Sequence, residues 1–266
     1  MSNQVRRRSW WVYILFFLFT QLAAGIIVVA LSRFDIGRLL SNDGSLAPGM
    51  FIGNLLGILL FFCFRPQSIT WSSTLAGVKG RKGRRSLLIF LLALPVIMLV
   101  NLTQEVFFPD LPDMVGEEQF KQLMYHPLGL LTISLVGPLC EELLFRGGVQ
   151  TDLSLHHSNQ GWFVPIAFSS ILFAVVHLNP AQMPMALILG LLHGFAYWWT
   201  GSLVASVGIH VFNNSFACIL VFISPEEDSL VHLLGGRTSA GIIAIVCLFC
   251  IYLAIRAVQK EGLRKA

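Results

Sequence analysis

Between Lys121 and Glu226 the chain carries only four charged side chains, Glu141, Glu142, Arg146 and Asp152, in an otherwise largely apolar run of roughly one hundred residues. Each charge left unpaired in hydrocarbon would cost at least ~2.5 kcal/mol, so charges that persist there face a partner or an enclosed cavity. This pattern restricts the fold to one that can satisfy its backbone inside a bilayer, and the wider composition agrees: 55% of residues are hydrophobic, 12% are charged and the mean hydropathy is +0.73. The fold class expected is all-α, a polytopic membrane helix bundle, because helices close their own hydrogen bonds within a segment.

Spanning the hydrocarbon takes about 20 apolar residues per helix. Eight segments approach that length, at about 10–32, 48–64, 86–103, 127–146, 162–178, 181–199, 202–223 and 237–256. The first follows Arg6, Arg7 and Arg8 and has small residues at Ala23, Ala24 and Gly25, as a signal peptide would. Its apolar run continues to Leu31, beyond the ~7–15 residues of a signal h-region, which points to a retained anchor.

Basic residues mark the cytoplasmic side. Arg6–Arg8 place the N-terminus inside, and the connection carrying Arg65, Lys79, Arg81, Lys82, Arg84 and Arg85 returns there. Between them in alternation, Glu105, Asp110, Asp113, Glu117 and Glu118 fall outside, and an even number of spans brings Arg256, Lys260, Arg264 and Lys265 inside with the C-terminus. The basic cluster at 79–85 is flanked by apolar spans and reads as an anchor against anionic lipid rather than a nucleic-acid site. The expected location is a membrane, with the lipid bilayer as constant partner.

Cys63, Cys140, Cys218, Cys247 and Cys250 all lie in or beside apolar spans, and their odd number gives no disulfide framework. The Cys247–Cys250 pair lacks the aqueous surface and further ligands of a redox or metal motif. Cys140 borders two acids in an apolar setting, which disfavours the thiolate a nucleophile needs.

The chemistry begins at Glu141-Glu142-Leu143-Leu144-Phe145-Arg146. On a helix Glu142 and Arg146 are one turn apart in the favourable acid-first order and can neutralise each other. Glu141 points about 100° away, without a basic residue at i+3 or i+4, which suits a general base facing a cavity. Phe173 and His177 share the i, i+4 spacing near the end of the fifth segment, and His210 and Asn214 share it in the seventh. Imidazole and amide groups supply hydrogen-bond donors. His193, between Gly190 and Gly194, reads as a helix-packing residue, and Gly53 with Gly57 suits packing within the chain or between copies, leaving the oligomeric state open.

In order along the membrane helices, EELLFRG, FAVVHLNP and HVFNN resemble the EExxxR, FxxxH and HxxxN motifs of the CAAX prenyl endopeptidase and bacteriocin-processing family of intramembrane proteases. The resemblance assigns 127–223 as a catalytic core within one integrated membrane domain, preceded by three helices and loops in 1–126 and followed by a loop, helix and basic tail in 224–266.

The resemblance also implies a mechanism. Glu141, assisted by His177, would activate water to attack a peptide carbonyl, His210 and Asn214 would stabilise the oxyanion, and Glu142, Arg146 and Phe173 would support the site. The substrate would be a membrane-associated peptide or protein. No cofactor is expected, since HExxH is absent and the acid–histidine spacing fits no standard zinc signature. Were a divalent metal such as zinc bound, Glu141, His177 and His210 would be its ligands. Two other classes share these features: a noncatalytic scaffold or bacteriocin-immunity protein, and a transporter or proton relay, although a second copy of the glutamate motif, common in duplicated transporters, is absent.

Overall fold

The computed structural model describes residues 9–33, 46–66, 69, 80–114, 116–156, 161–223 and 229–263. Arg6–Arg8, Lys79, His157, Arg264 and Lys265 lie outside the described residues. The regular elements described are helical: α1 (Trp11–Arg33), α2 (Ala47–Phe64), α3 (Gly80–Phe107), α4 (Glu117–Tyr125), α5 (Pro127–Leu131), α6 (Gly137–Glu142), α7 (Thr151–His156), α8 (Phe163–Val175), α9 (Met183–Thr200), α10 (Leu203–Ile223), α11 (Leu230–Leu233) and α12 (Arg237–Leu263).

Among the described residues, six helices are long and apolar enough to cross a membrane: Trp11–Ala30, Ala47–Phe64, Gly80–Phe107, Pro127–Leu155, Leu203–Ile223 and Arg237–Glu261. They correspond to six of the eight expected segments. The expected 162–178 span is the 13-residue α8, about 20 Å of helix against a hydrocarbon core of ~30 Å. The 181–199 segment forms the 18-residue α9. Its histidine, tyrosine and two tryptophans make it less apolar, and it is not among the six.

Internal contacts divide the chain into two compact units, 1–70, 115–169 and 210–218 in the first, 71–114, 170–209 and 219–266 in the second. In the first, α1 and α2 pack closely because α2 presents glycines. A Cβ at Gly53 would lie 2.8 Å from the Thr20 carbonyl oxygen and 2.9 Å from the Ala24 Cβ, and one at Gly57 would collide with the Cys140 sulfur on α6. The small-residue spacing thus serves contacts within the chain. Gly148 is equally constrained, since any side chain there would enter the ring of Tyr13. Tyr13 is buried and donates its hydroxyl to the Phe64 carbonyl at 3.3 Å, while Phe17 meets Phe145 edge-on at 5.5 Å. Asp152, the fourth charge of the apolar run, accepts the Trp10 backbone N–H at 2.9 Å.

The stretch 127–156 is one continuous helical rod with two π-helical segments, Thr132–Val136 and Leu143–Gln150, on either side of α6. π-helical turns widen the helix and recur at functional sites; here they bracket the residues Gly137–Glu142.

In the second unit α3 packs against α9 and α12. Arg84 pairs with the buried Glu261 at 2.8 Å, joining the basic end of α3 to the end of α12. Arg85, also buried, lies 5.2 Å over the Trp199 ring and donates to the Trp199 carbonyl at the C-terminal end of α9, where a cation complements the helix dipole. Glu105, expected in a connecting loop, belongs to α3 and caps α11 by accepting the Ser229 hydroxyl and the Val231 N–H at 3.2–3.3 Å.

Candidate active site

Glu141, Glu142, Arg146, His210 and Asn214 all fall in the first unit. The acid-first spacing produces the expected pair: Glu142 Oε1 lies 3.3 Å from Arg146 Nη1, and both side chains are fully buried. Enclosing the two charges together avoids the penalty of a lone charge in the membrane.

Tertiary packing adds what spacing could not. The His210 ring stands between the two acids, its Nδ1 3.0 Å from Glu142 Oε1 and its Nε2 3.7 Å from Glu141 Oε2. The first distance is a hydrogen bond and the second a close electrostatic approach. Glu142 is therefore linked to both Arg146 and His210. Glu141 differs from its neighbour in access: its side chain is 21% exposed and that of Glu142 is 0% exposed, so of the two only Glu141 is open to water or substrate.

Asn214, one turn along α10 from His210, donates Nδ2–H to the Ile133 carbonyl at 3.0 Å, and its Oδ1 accepts from Asn213 Nδ2 at 3.1 Å. Ile133 belongs to the first π-helical segment. These two bonds fix which end of the Asn214 amide is the donor, and they leave its second N–H for another acceptor.

Phe173 and His177 fall in the second unit. Their expected common helix face is corrected by the structure: α8 ends at Val175, and His177 sits in the turn beyond it. The physical cause is a tightening last turn, with His177 N–H bonded to Ala174 O at 3.3 Å and Leu178 N–H to Val175 O at 3.1 Å, followed by Asn179-Pro180, whose proline disfavours helix at the preceding residue. The two side chains still meet, ring centroids 4.8 Å apart and edge-on. His177 Nδ1 lies 2.7 Å from the Phe173 carbonyl. A carbonyl only accepts, so Nδ1 carries the hydrogen, and in the neutral ring Nε2 is left as the acceptor.

His193, read from its position between Gly190 and Gly194 as a helix-packing residue, is enclosed in the second unit. It is 1% exposed, and its ring centroid lies 6.4 Å from that of Phe173, the ring that also meets His177. All five cysteines are free, and Cys140 is buried against Gly57.

Residues 124–216 match the sequence profile described as "Type II CAAX prenyl endopeptidase Rce1-like". The chain is 29% identical over 103 residues to "Membrane-embedded CAAX protease MroQ" of Staphylococcus aureus (strain USA300), covering 38% of this chain and 42% of that protein. It is 23% identical over 116 residues to "Putative membrane peptidase YdiL" of Bacillus subtilis (strain 168), covering 41% of this chain and 46% of that protein. The matched region thus spans less than half the length of these curated relatives. No solved structure matches the chain. The bacterial relatives and the apolar helices identify an integral protein of the bacterial plasma membrane. The three motifs all lie within residues 124–216, so the similarity to the Rce1-like CAAX prenyl endopeptidase profile covers the part of the chain that carries Glu141, Glu142, Arg146, His177, His210 and Asn214.

Proposed function

We propose that the protein is an intramembrane endopeptidase that hydrolyses a peptide bond in a membrane-associated peptide or protein by glutamate-activated water. The observation that carries this reading is the His210 ring set between an enclosed Glu142–Arg146 pair and a partly open Glu141.

In the proposed reaction Glu141, assisted by the Nε2 of His177, accepts a proton from water while the oxygen attacks the carbonyl carbon. The C=O π pair moves onto oxygen. His210, its Nδ1 bonded to Glu142 and its Nε2 on the Glu141 side, stabilises the oxyanion together with the second N–H of Asn214. Collapse of the tetrahedral species breaks the C–N bond, and Glu141 returns its proton to the leaving amine. Glu142 is thereby given a positioning role, supported by its complete burial, its hydrogen bond with His210 and its ion pair with Arg146.

A metal-independent reaction is the preferred reading because HExxH is absent and the acid–histidine spacing fits no standard zinc signature. In the zinc alternative Glu141, His177 and His210 are the ligands that the resemblance implies, and the metal would supply Lewis-acid activation of water. Loss of activity of the purified protein in a chelator, with recovery on adding zinc, would establish that alternative. Unchanged activity in the chelator is the expected result.

The deciding comparison is of peptide termini in membrane and secreted fractions from cells lacking the protein, complemented by wild type or Glu141→Gln at equal expression. New termini restored only by wild type are expected. Identical peptides and identical rescue of phenotype by both would favour a noncatalytic scaffold or immunity role.

A further inference from the structure

We propose that Asn179, held by Asp113, is a positioning residue for His177, an inference that rests on the catalytic reading of His177 above. His177 lies beyond the end of α8, so no continuing helical ladder sets its direction. The next residue, Leu178, is the one non-glycine residue with positive φ among the described residues, at +50°, and its side chain is 74% exposed. A solvent- or lipid-facing leucine has no local interaction that favours the left-handed region, so the flanking residues must impose it.

Those flanks are both fixed. On one side His177 is bonded to the Phe173 carbonyl at 2.7 Å. On the other, Asn179 is 1% exposed and uses both ends of its amide: Nδ2 donates to Asp113 Oδ1 at 2.8 Å, and Oδ1 accepts the N–H of Met114 at 3.2 Å and of Ala181 at 3.3 Å. Ala181 N–H also reaches the Pro112 carbonyl at 3.1 Å, and Gln104 Nε2 donates to the Ala181 carbonyl. The loop that carries His177 is thus clasped to the loop after α3, with one buried asparagine at the centre. A leucine at positive φ joins that clasp directly to the imidazole, so a shift of Asn179 is transmitted to the ring.

An exchange of partners tests the clasp. Asn179→Asp would set two carboxylates against each other, whereas Asn179→Asp with Asp113→Asn restores a donor and an acceptor in reversed order. The assay uses purified full-length protein in lipid nanodiscs and a fluorogenic peptide carrying a cleavage sequence recovered from the cellular comparison above. Asn179→Asp is expected to lower kcat about 10- to 100-fold, the scale set by small misplacements of a catalytic group, with KM changed less than about twofold. The exchanged pair should recover most of kcat, and Asn179→Asp should cause no further loss in a His177→Ala background.

Full kcat in folded Asn179→Asp would overturn the proposal. So would a loss that simply adds to that of His177→Ala, because it would report general damage. If Asn179→Asp does not fold, Asp113→Ala, which removes the acceptor of the 2.8 Å bond, is judged by the same kcat and background criteria. If His177→Ala retains full activity, the catalytic reading of His177 falls, and this positioning role falls with it. An impaired His177→Ala beside a fully active Asn179→Asp would overturn the positioning role alone.

Discussion

Two adjacent glutamates differ in access, one open and the other enclosed, and the proposed reaction gives them different work accordingly. Glu141→Gln keeps the shape and removes the base, so a loss of about 10²–10⁴ in kcat is expected with little change in thermal stability. Parallel cleavage and melting measurements on the purified variant check both parts. Glu142 should behave in the opposite way, since its carboxylate is fully buried between Arg146 and His210. Removing its charge alone leaves a buried guanidinium uncompensated, at an expected cost of about 3–5 kcal/mol. Adding Arg146→Met to Glu142→Gln should recover part of that stability, as a double-mutant cycle of melting would show. Strict additivity would mean that the pair is not coupled. The Glu142–Arg146 contact was legible from a spacing of four on a helix. The place of His210 was not, because 68 residues separate it from Glu142 and nothing local relates their side chains.

At the scale of elements, apolar length reveals helices because each must bury its own peptide groups in the membrane. The long spans overlap six of the expected segments, the fourth continuing to Leu155 past its expected end at 146, whereas α8 is shorter than its apolar run because its last turn tightens before Asn179-Pro180. The π-helical turns were also hidden: a widened turn changes the hydrogen-bond register without an apolar or polar pattern of its own. Glycine positions carry the clearest element-level prediction. Gly53→Leu and Gly148→Leu should both lower the melting temperature of the solubilised protein, since one would push α2 away from α1 and the other would displace the Tyr13 ring. Gly241, which meets no atom within 4 Å, is the control and should tolerate alanine. Equal melting of all three variants would remove close helix approach as the reason for these glycines.

For the whole molecule, the alternation of basic and acidic connections gives a topology that can be tested directly. With both termini cytoplasmic, a cysteine at Asp110 should react with a membrane-impermeant maleimide in intact cells. One at Lys82 should react only after permeabilisation, in each case in a background lacking the native cysteines. The reverse pattern would invert the assignment. By itself the sequence determined the membrane setting, the helical class and the residue types available for chemistry, because hydrophobic length, charge scarcity and motif spacing are properties of a linear chain. Only the tertiary structure decided that His210 stands between Glu141 and Glu142, that Gly53 and Gly57 serve contacts within the chain, and that His177 lies on a clasped turn rather than a helix. Those outcomes depend on side chains from distant segments competing for the same space and hydrogen bonds, which no local pattern records.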